Sequence, residues 1–541
     1  MASSQSFLSA KLLDNLGGQP KWLKISVALV AVIVLRSISK YRNGVKAVAG
    51  IPGFRVPFFP LGMPGVMIPT SWWNPGYYFT WQWKTTNYTR FGNDTFSLVP
   101  FLVGPPTIYT ATLEVARQSI GGGHKTSFAK ADQFQPALLY WGMNLVAADK
   151  EVWRKHRRIV GPAFNNSVYE MVWKETLQLY RDMTAAEQWD GKQEIVVPVA
   201  QDITFKLALL VIGKCGFGFR FGWLDSPQSG GRKFSLQEAL RIVADTNLQA
   251  TLLPKWIRRY SPIKSFRDSY EAYEQMAQFM DQHVAQKKEE IQSKNSTEIG
   301  KDVLTLLVQA NEQENSKLKM SKEELLGNVF ILLFAGHETT GHTLAVTLAF
   351  LSLYPDIQED AYQQVKSVIG NKEPNFEDCN KLDKVLAIFF ESLRLFPSGH
   401  LLMREAWEDT VIQVPNPIGQ EGTTSVPVPR GTQLIVDMVG VHYNPRYFPD
   451  PYEFKPSRWQ DVGIDSETFT AFSIGPRACM GRKFATVESV CFLSCLLRDF
   501  EVHPLLNAGE TKEQWRERVV DAIFVLTLGV KDVPLRFVRR L

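Results

Sequence analysis

The sequence predicts a mainly α-helical protein with a smaller β region and an N-terminal membrane anchor. Three observations support this prediction. An uncharged apolar run stands near the N-terminus, helical patterns cover most of residues 110–400, and shorter segments rich in β-branched residues follow, punctuated by proline and glycine. The 541 residues are 45% hydrophobic and 21% charged, which is typical of globular proteins rather than of disordered or fibrous ones.

Charge and cysteine content argue against several classes of protein, namely nucleic-acid-binding, disulfide-rich and zinc-binding ones. The net charge of +5 comes from 60 basic and 55 acidic residues, and no block is overwhelmingly basic. The sequence therefore gives no reason to expect nucleic-acid binding. The five cysteines are odd in number and form no CxxC pair, which argues against a disulfide framework and a zinc knuckle. We expect the folded part to lie in a reducing compartment.

The apolar run Ile25–Leu35 is the centre of the predicted anchor, which we place at about residues 22–38 within an N-terminal region 1–50. The run has 11 residues, fewer than the roughly 20 that span a bilayer as a helix. Trp22 and Leu23 extend it, and the long side chains of Lys24 and Arg36 can reach the lipid headgroups. Its length therefore still suits an anchor.

A cleaved signal peptide is the alternative, because the small residues at 47–49 followed by Gly50 look like a cleavage site. Four cationic residues separate the apolar run from that site: Arg36, Lys40, Arg42 and Lys46. Such residues are wrong for a signal peptide and typical of the cytoplasmic side of an anchor. The sequence thus favours an anchor, with the residues after it on the cytosolic side.

Residues 51–70 contain five prolines, which exclude a long helix and favour extended chain. We interpret this segment as a stiff hinge, a tether between the anchor and a folded body at residues 71–541. Four tryptophans begin the body, at positions 72, 73, 81 and 83. They suit a membrane interface and an ordinary core equally well, and both interpretations stay open.

The longest predicted helix begins at a capping box formed by Ser321 and Glu324. It continues without proline to Tyr354, where Pro355 ends it, and at about 1.5 Å per residue it is roughly 50 Å long. Its middle carries the motif AGHETT at residues 335–340, which interrupts an otherwise apolar helix. A charged residue in such a helix is costly and needs a functional reason.

A second helix is predicted from about Leu382 to Leu395. It contains ESLR, in which Glu391 and Arg394 are three residues apart and share one face. Three strand-like stretches follow, TVIQVP, TSVPVP and TQLIVDMV. Residues 444–459 are too rich in proline for a regular element, so we expect an irregular packed connection there.

The segment FSIGPRACMG, residues 472–481, surrounds Cys479 with glycines and precedes another predicted helix. Gly475 and Gly481 permit unusual backbone angles and leave room for a flat ligand. The free amides and the dipole of the helix favour a thiolate, which suits a nucleophile or a metal ligand. No histidine base is placed beside it, and a rigid loop rich in amides suits a thiolate ligand of heme iron. A tight turn with an incidental buried cysteine is the alternative.

The pattern F-x-x-G-x-R-x-C-x-G resembles the heme-binding loop of the cytochrome P450 superfamily. Four further motifs resemble that family in order and spacing: WRKHR near Trp153, AGHETT, ESLR, and FKPSRW with Arg458. Together they cover about residues 150–485, and their joint specificity is high. The resemblance implies a cytochrome P450 fold, with the catalytic domain at residues 71–541 and, given the anchor, a microsomal and fungal-type member.

The resemblance also implies the site. Heme b (iron-protoporphyrin IX) is the expected cofactor, with Cys479 as the axial ligand of its iron. The remaining expected heme contacts are Arg477, Trp153, Arg157, Arg404, Phe472, Gly475 and Gly481. Thr339 and Glu338 are expected to deliver protons to iron-bound dioxygen, with Ala335 and Gly336 letting the helix open. Taken alone, Thr339 could instead bond back to the previous turn.

Several residues are given structural roles. Glu391, Arg394 and Arg458 are expected to form an ion network behind the heme. His337 is interpreted as local structure, and Cys491 and Cys495 as core.

The implied function is a heme-thiolate monooxygenase of the endoplasmic reticulum membrane, single-pass, with the catalytic domain facing the cytosol. It would take electrons from NADPH through NADPH–cytochrome P450 reductase, with cytochrome b5 as a further candidate donor. The implied substrate is a lipophilic small molecule, such as a terpenoid or another secondary metabolite. Two alternatives remain: an isomerase, dehydratase or peroxygenase that needs no reductase, and a non-catalytic heme protein.

Four regions are expected by resemblance to line the substrate pocket: Phe134 to Met143, Phe330 with Phe334, Ser398 to Leu402, and Ala522 to Phe524. Arg154, Lys155, Arg158, Arg482 and Lys483 are expected to face the acidic surface of the reductase.

Overall fold

The computed structural model describes residues 20–121, 126–130, 138–219, 221–224, 233–293, 300–314, 318–370, 372–460, 469–524 and 527–540. The chain divides into two compact units. The first comprises Met1–Val115 and Glu405–Ile435, and the second comprises Ala116–Arg404 and Val436–Leu541.

Helices dominate the described chain, and the sheets are smaller, as the sequence predicts. The helices are α1 (Lys21–Ala47), α2 (Phe79–Trp83), α3 (Thr86–Phe91), α4 (Leu113–Ala116), α5 (Lys150–Val160), α6 (Asn166–Ala186), α7 (Gln201–Val211), α8 (Leu236–Asp245), α9 (Asn247–Leu252), α10 (Lys255–Tyr260), α11 (Lys264–Ser293), α12 (Val303–Gln313), α13 (Lys322–Leu353), α14 (Pro355–Val368), α15 (Asp383–Leu395), α16 (Met438–His442), α17 (Arg482–Asp499) and α18 (Lys512–Val519).

The strands are β1 (Gly53–Phe58), β2 (Thr95–Val103), β3 (Thr107–Thr110), β4 (Phe128–Ala129), β5 (Glu194–Val197), β6 (Leu401–Ala406), β7 (Thr410–Pro415), β8 (Thr423–Val428), β9 (Gln433–Asp437), β10 (Phe500–Pro504), β11 (Ala522–Phe524), β12 (Leu528–Val530) and β13 (Leu535–Arg539). In the first unit β2 pairs with β1 and β3, and β7 and β8 form a hairpin. In the second unit β13 lies between β10 and β5, and β11 and β12 form a hairpin.

Helix α1 contains the predicted anchor. Its 27 residues include an 18-residue window with a mean hydropathy of 1.9, and none of that window is buried. Length and composition therefore suffice for crossing a membrane. Its last turns are different, because they pack on β2. A Cβ at Gly44 would lie 2.5 Å from Cγ1 of Val99, and Val48 is fully buried.

The proline-rich hinge is extended in its first part only, since Gly65–Met67 forms a 3₁₀ turn, and it is not a free tether. Gly53–Phe58 forms β1, which pairs in parallel with β2 and aligns Gly53 with Ser97. A Cβ at Gly53 would lie 1.8 Å from the carbonyl oxygen of Ser97, so glycine is required for this approach. The prolines prevent a long helix here. Gly53 permits the close pairing with β2, and this pairing makes Gly53–Phe58 part of a sheet.

The four tryptophans divide between the two interpretations. Trp81 is 5% exposed, and Trp83 stacks on Phe54 with their ring centroids 5.7 Å apart, so this pair belongs to the core. Trp72 is 86% exposed and Trp73 is 41% exposed. The first pair on the chain is therefore the one available to a membrane interface.

Helix α13 is the predicted long helix, and both of its ends are confirmed. Ser321 and Glu324 form the reciprocal capping box, and Tyr354 is the C-terminal cap. Most side chains of its 32 residues are buried on all sides, which is how a helix without a polar face is accommodated. The helix packs against α7 and α15 in the second unit.

The predicted ion network is also confirmed. Glu391 and Arg394, both fully buried, form a bidentate pair with two bonds of 2.8 Å. Arg394 also donates to the carbonyl oxygens of His442, Pro451 and Glu453. Arg458 donates to Oε1 of Glu391 at 3.3 Å. These bonds fix the irregular segment 444–459, whose only regular piece is a short 3₁₀ turn at Pro456–Trp459.

Two of the three strand predictions hold as whole strands. TVIQVP is β7 and TSVPV is most of β8. The third stretch, TQLIVDMV, ends as β9 at Asp437, because that side chain accepts a hydrogen bond from the amide of Gly440 and caps α16. Sequence periodicity did not reveal this cap within an apolar run. Cys491 and Cys495 are buried in α17, as predicted.

Candidate active site

A cavity of about 390 Å³ lies within the second unit, between the middle of α13 and the loop that carries Cys479. Its walls are mostly apolar. The functional side chains that line it include Cys479, Thr339, Trp153, Arg157, Arg404 and Arg477. Of the residues predicted for heme binding, Phe472 and Gly481 line it too. The fold thus collects around one space residues from three separate motifs and Arg404 of β6.

The loop of Cys479 is held by its own backbone. The amide of Cys479 donates to the carbonyl oxygen of Phe472 at 2.8 Å, and Gly475 between them adopts a φ of +67° that favours glycine. Gly481 differs from the expectation: its φ is −79°, and a Cβ there would make an ordinary 3.8 Å contact with Sγ of Cys479. Gly475 is therefore the glycine that the turn requires.

The thiol of Cys479 is accessible from the cavity although it lies deep in the unit. Burial raises its pKa. Hydrogen bonds from the amides of Gly481 and Arg482 oppose that shift, as do the positive charges of Arg482 and Arg157. These groups stabilise the thiolate, so the loop suits a site where a cation offsets the cost of burial.

Four cations line the same cavity: Lys130, Arg157, Arg404 and Arg477. Arg477 donates to Oδ1 of Asp149 and to the carbonyl oxygen of Ala148, both at 2.6 Å. Its guanidinium also lies 4.6 Å from the centre of the Trp153 ring. Trp153 and Arg477 are thereby brought together as predicted.

Positive charge exceeds negative charge in this group. Burial and the neighbouring Arg477 lower the pKa of Arg404 to about 10. Burial, Arg404 and Arg477 lower the pKa of Lys130 as well. Asp149 is the carboxylate that counters them within the described part of the chain. Lys130 was not predicted from the sequence, because FAKAD matches no motif and only the folded chain brings this lysine to the arginines.

Heme b fits this arrangement on the chemistry of its donors and charges. The cavity offers one accessible thiol, and the surplus of cations over Asp149 would be balanced by the two carboxylates of a heme. The apolar walls suit a flat macrocycle.

Thr339 lines the cavity, and its hydroxyl donates to the carbonyl oxygen of Ala335 at 2.8 Å. The back-bonding predicted for an isolated threonine is therefore present, and the hydroxyl oxygen keeps its lone pairs as acceptors. Helix α13 stays continuous here, contrary to the expected opening. Gly336 is explained by packing instead, because a Cβ there would lie 2.9 Å from Cγ1 of Ile212.

Glu338 does not line the cavity. Its Oε1 accepts a 2.7 Å hydrogen bond from the hydroxyl of Thr527, and its Oε2 has no partner within the described residues. Burial raises the pKa of this carboxyl to about 7. Glu338 and Thr339 were expected to deliver protons in one relay through ordered water. Their side chains have different surroundings here, because adjacent helical positions point about 100° apart.

His337 is a packing residue, as predicted. Its ring lies edge-on to Phe205, with the centroids 5.2 Å apart, and burial lowers its pKa to about 3. Neither ring nitrogen has a partner within the described residues, and the ring is absent from the cavity wall. The neutral imidazole is therefore the form this site accepts.

The expected substrate regions are only partly brought together. Ser398, Gly399 and Leu402 line the cavity. Phe330 and Phe334 do not, because Phe330 packs on Trp141 with the centroids 4.1 Å apart. Residues 138–143 and 522–523 are also outside the lining, while residues 134–137 and the side chain of residue 524 lie outside the described part of the chain.

Comparison with known proteins finds one family model and several relatives that match this chain. A protein-family model described as Cytochrome P450 matches residues 87–521. Cytochrome P450 monooxygenase 124 of Postia placenta is 34% identical over 529 residues, covering 96% of this chain and 99% of that protein. Cytochrome P450 monooxygenase ORF6 of Penicillium roqueforti is 26% identical, covering 85% and 83%. Cytochrome P450 716A67 of Medicago truncatula is 29% identical, covering 66% and 67%. The matched residues include the whole cavity lining.

Proposed function

This chain belongs to the cytochrome P450 family, and on that premise we propose that it inserts one oxygen atom of O2 into a lipophilic small molecule with electrons from a separate reductase. Members of the family bind heme b through a thiolate-ligated iron, and the relatives are named monooxygenases. The observation that carries the proposal is the cavity that joins the thiol of Cys479, the hydroxyl of Thr339 and a surplus of cations. One substrate molecule, one O2, one NADPH and one proton would give one hydroxylated product, one NADP⁺ and one water.

In this proposal the thiolate of Cys479 would hold the heme iron. Arg157, Arg404 and Arg477 would bind the heme carboxylates, together with Trp153 and the newly found Lys130. Asp149 then has a second role, since it holds Arg477 in place and keeps its guanidinium beside Trp153. Phe472, Gly475 and Gly481 shape the loop. Heme b, when bound, supplies the activation of dioxygen and the transfer of one oxygen atom to the substrate.

The protons are handled by the chain itself. Oγ1 of Thr339 can accept a hydrogen bond from a water in the cavity while its own O–H donates to the carbonyl oxygen of Ala335. Rotation of the hydroxyl would turn that proton towards the cavity. Glu338 acts one step further back: its carboxyl, with a pKa of about 7, can give or take a proton near neutral pH once it leaves Thr527.

The electron donor that we propose is NADPH–cytochrome P450 reductase, with cytochrome b5 as a further candidate. Of the expected docking residues, Arg154 and Arg158 are exposed and bind only surface carboxylates. Lys155 is committed to Glu324 with bonds of 2.6 and 2.7 Å, so we remove it from the docking surface. Reduction by the reductase should slow as salt rises, because charges on opposite surfaces are then screened.

For location we propose the endoplasmic reticulum membrane, with α1 as a single span and the rest of the chain in the cytosol. The exposed apolar part of α1 and the cations that follow it support this orientation. Asn93 and Asn165 lie in glycosylation sequons and are only half-buried. They should carry no glycan in microsomes, and a glycosidase-sensitive mass shift would reverse the orientation.

The function is tested by incubating the full-length protein with NADPH, reductase and a panel of lipophilic compounds. The panel should include terpenoids, because the cavity wall is mostly apolar and we propose a terpenoid or another secondary metabolite as substrate. We expect NADPH-dependent gain of one oxygen atom from ¹⁸O2 into a product. Product formation without reductase would favour the peroxygenase or isomerase alternative, and heme binding without turnover of any compound would favour the non-catalytic one.

A further inference from the structure

Arg258 of α10 is fully buried, yet it has no ion pair with any residue that the structure describes. Nη1 donates to Oγ of Ser269 at 3.3 Å, and Nη2 donates to the hydroxyl oxygen of Tyr140 at 3.0 Å. Nε has no partner within the described residues. The guanidinium thus meets only neutral groups. Arg394, in contrast, is equally buried and has both oxygens of Glu391.

Aromatic rings surround this guanidinium. Its carbon lies 5.1 Å from the ring centre of Tyr273 and 5.7 Å from that of Tyr140. Trp141 stacks on Tyr273 with the centroids 5.0 Å apart, and its indole Nε1 is also buried, with no partner among the residues that the structure describes. Two unused N–H donors, one on Arg258 and one on Trp141, are therefore gathered around the same tyrosine.

The cluster reaches from the surface to the long helix. On the outer side the ammonium of Lys255 lies 5.5 Å from the ring centre of Tyr140 and pairs with Glu274 at 3.2 Å. On the inner side Trp141 touches Phe330 of α13 with the ring centroids 4.1 Å apart. Phe330 directly precedes Ile331, which lines the cavity. An anion held by Arg258 would thus lie between Lys255 at the surface and Phe330, the neighbour of a residue in the cavity wall.

A buried charge without a counter-ion destabilises a fold, and cation–π contacts offset only part of that cost. The cost is accepted where a ligand supplies the missing charge. The geometry therefore points to Arg258, assisted by Trp141, as the recognition site for the carboxylate of a lipophilic acid substrate. The inference rests on the proposed function and specifies its substrate: an acid whose carboxylate binds at Arg258 and whose apolar body extends towards the cavity.

The test compares matched pairs of ligands that differ only in charge: dodecanoic acid with 1-dodecanol, and abietic acid with abietol. Calorimetric titration of the full-length heme-loaded protein in one detergent measures each affinity. For each ligand, the ratio of parent to variant affinity cancels its partition into the detergent. We expect Arg258→Gln to weaken the binding of at least one acid about tenfold or more and to leave its alcohol within about twofold, as for hydrogen bonds to charged groups.

Arg259→Gln is the matched control, because Arg259 is the exposed neighbour on the same helix, and it should leave both affinities unchanged. Arg258→Lys should keep part of the preference for the acid. Ligand-free Arg258→Gln should unfold at the same or a higher temperature than the parent, because it lacks the uncompensated charge.

Equal losses for the acid and the alcohol, accompanied by a lower unfolding temperature, would show a purely structural arginine and overturn the inference. The absence of acid binding to the parent would overturn it too. Acid that binds at Arg258 but is never oxidised, while other compounds are, would overturn the substrate assignment. Failure of the proposed function is separate, since it appears as no oxygen transfer to any compound, whatever the calorimetry gives.

Discussion

The hydroxyl of Thr527 donates a 2.7 Å hydrogen bond to Oε1 of Glu338 and holds this carboxyl away from the cavity that Thr339 lines. Burial keeps the carboxyl protonated over part of the physiological pH range, with a pKa of about 7. The proton of the Glu338 carboxyl therefore lies on a different face of α13 from the cavity, where Thr339 would need it. Transfer to the cavity requires either a change of the Glu338 rotamer or a connecting water.

Glu338→Gln should make the protein more stable than its parent at pH 8, with little difference at pH 5. The folded carboxyl has a pKa of about 7 and the unfolded one about 4.5, so the folded state keeps a proton that the unfolded state has lost. The parent's free energy of unfolding therefore falls as pH rises through this window, by on the order of 3 kcal/mol. Glutamine has no such titration.

Urea unfolding at several pH values measures this difference. Glu151→Gln is a suitable control, since Glu151 is 78% exposed and its replacement should not change the pH dependence. Parallel curves for Glu338→Gln and its parent would contradict a raised pKa.

Thr339→Ala should retain heme and oxidise NADPH, yet convert less of it into oxygenated product. The variant lacks the hydroxyl of a residue that lines the cavity, so protons arrive less selectively and electrons are lost to hydrogen peroxide. General acid–base assistance is worth about 10²–10⁴-fold, and a loss of at least about tenfold in coupling is expected if water substitutes in part. The ratio of product to NADPH, with peroxide assayed alongside, measures it. Thr339→Ser should keep most of the coupling, and an unchanged ratio in the alanine variant would leave Thr339 as a packing residue.

Cys479→Ala should abolish the red-shifted Soret band that the reduced, CO-bound protein shows when a thiolate binds the iron. Cys479 is the cysteine whose thiol reaches the cavity, whereas the other four are buried elsewhere. Cys495→Ala should therefore leave the band in place. If the band survives in Cys479→Ala, another residue is the ligand.

Glu391→Gln should destabilise the protein by about 3–5 kcal/mol, because it leaves the guanidinium of Arg394 buried without a countercharge. The surface pair Arg181–Glu373 provides the comparison, since Arg181→Met should change the free energy of unfolding by about 1 kcal/mol or less. Urea unfolding of both variants under the same conditions makes the measurement. Similar small losses in both would mean that water reaches Glu391.

The sequence predicted best where short spacing decides geometry. The capping box of Ser321 and Glu324 and the pair of Glu391 and Arg394 each join residues three apart, so the helix itself brings them together. The loop of Cys479 is likewise local, because Phe472 and Cys479 close it by one backbone bond.

The failures came from contacts between distant segments. Lys130 reaches the arginines, and Thr527 reaches Glu338, only in the folded chain, and no periodicity encodes such contacts. The different orientations of Glu338 and Thr339 follow from the helix itself, because adjacent helical positions point about 100° apart. Arg258 was missed for a different reason. The sequence does not show that this arginine is buried or that its described neighbours provide no counter-ion.

The packing of Gly44 against Val99 determines how much of α1 can be removed from the chain for crystallisation. The apolar turns around residue 30 can be deleted, since none of that window is buried. The last turns of α1 cannot be deleted, because Gly44 packs against Val99 of β2 and Val48 is buried. Lys40 also donates to the carbonyl oxygen of Leu102 at 3.1 Å. A truncation after the hinge would also remove β1 and leave the edge of β2 unpaired, which invites aggregation. A new N-terminus just before Lys40 keeps both contacts.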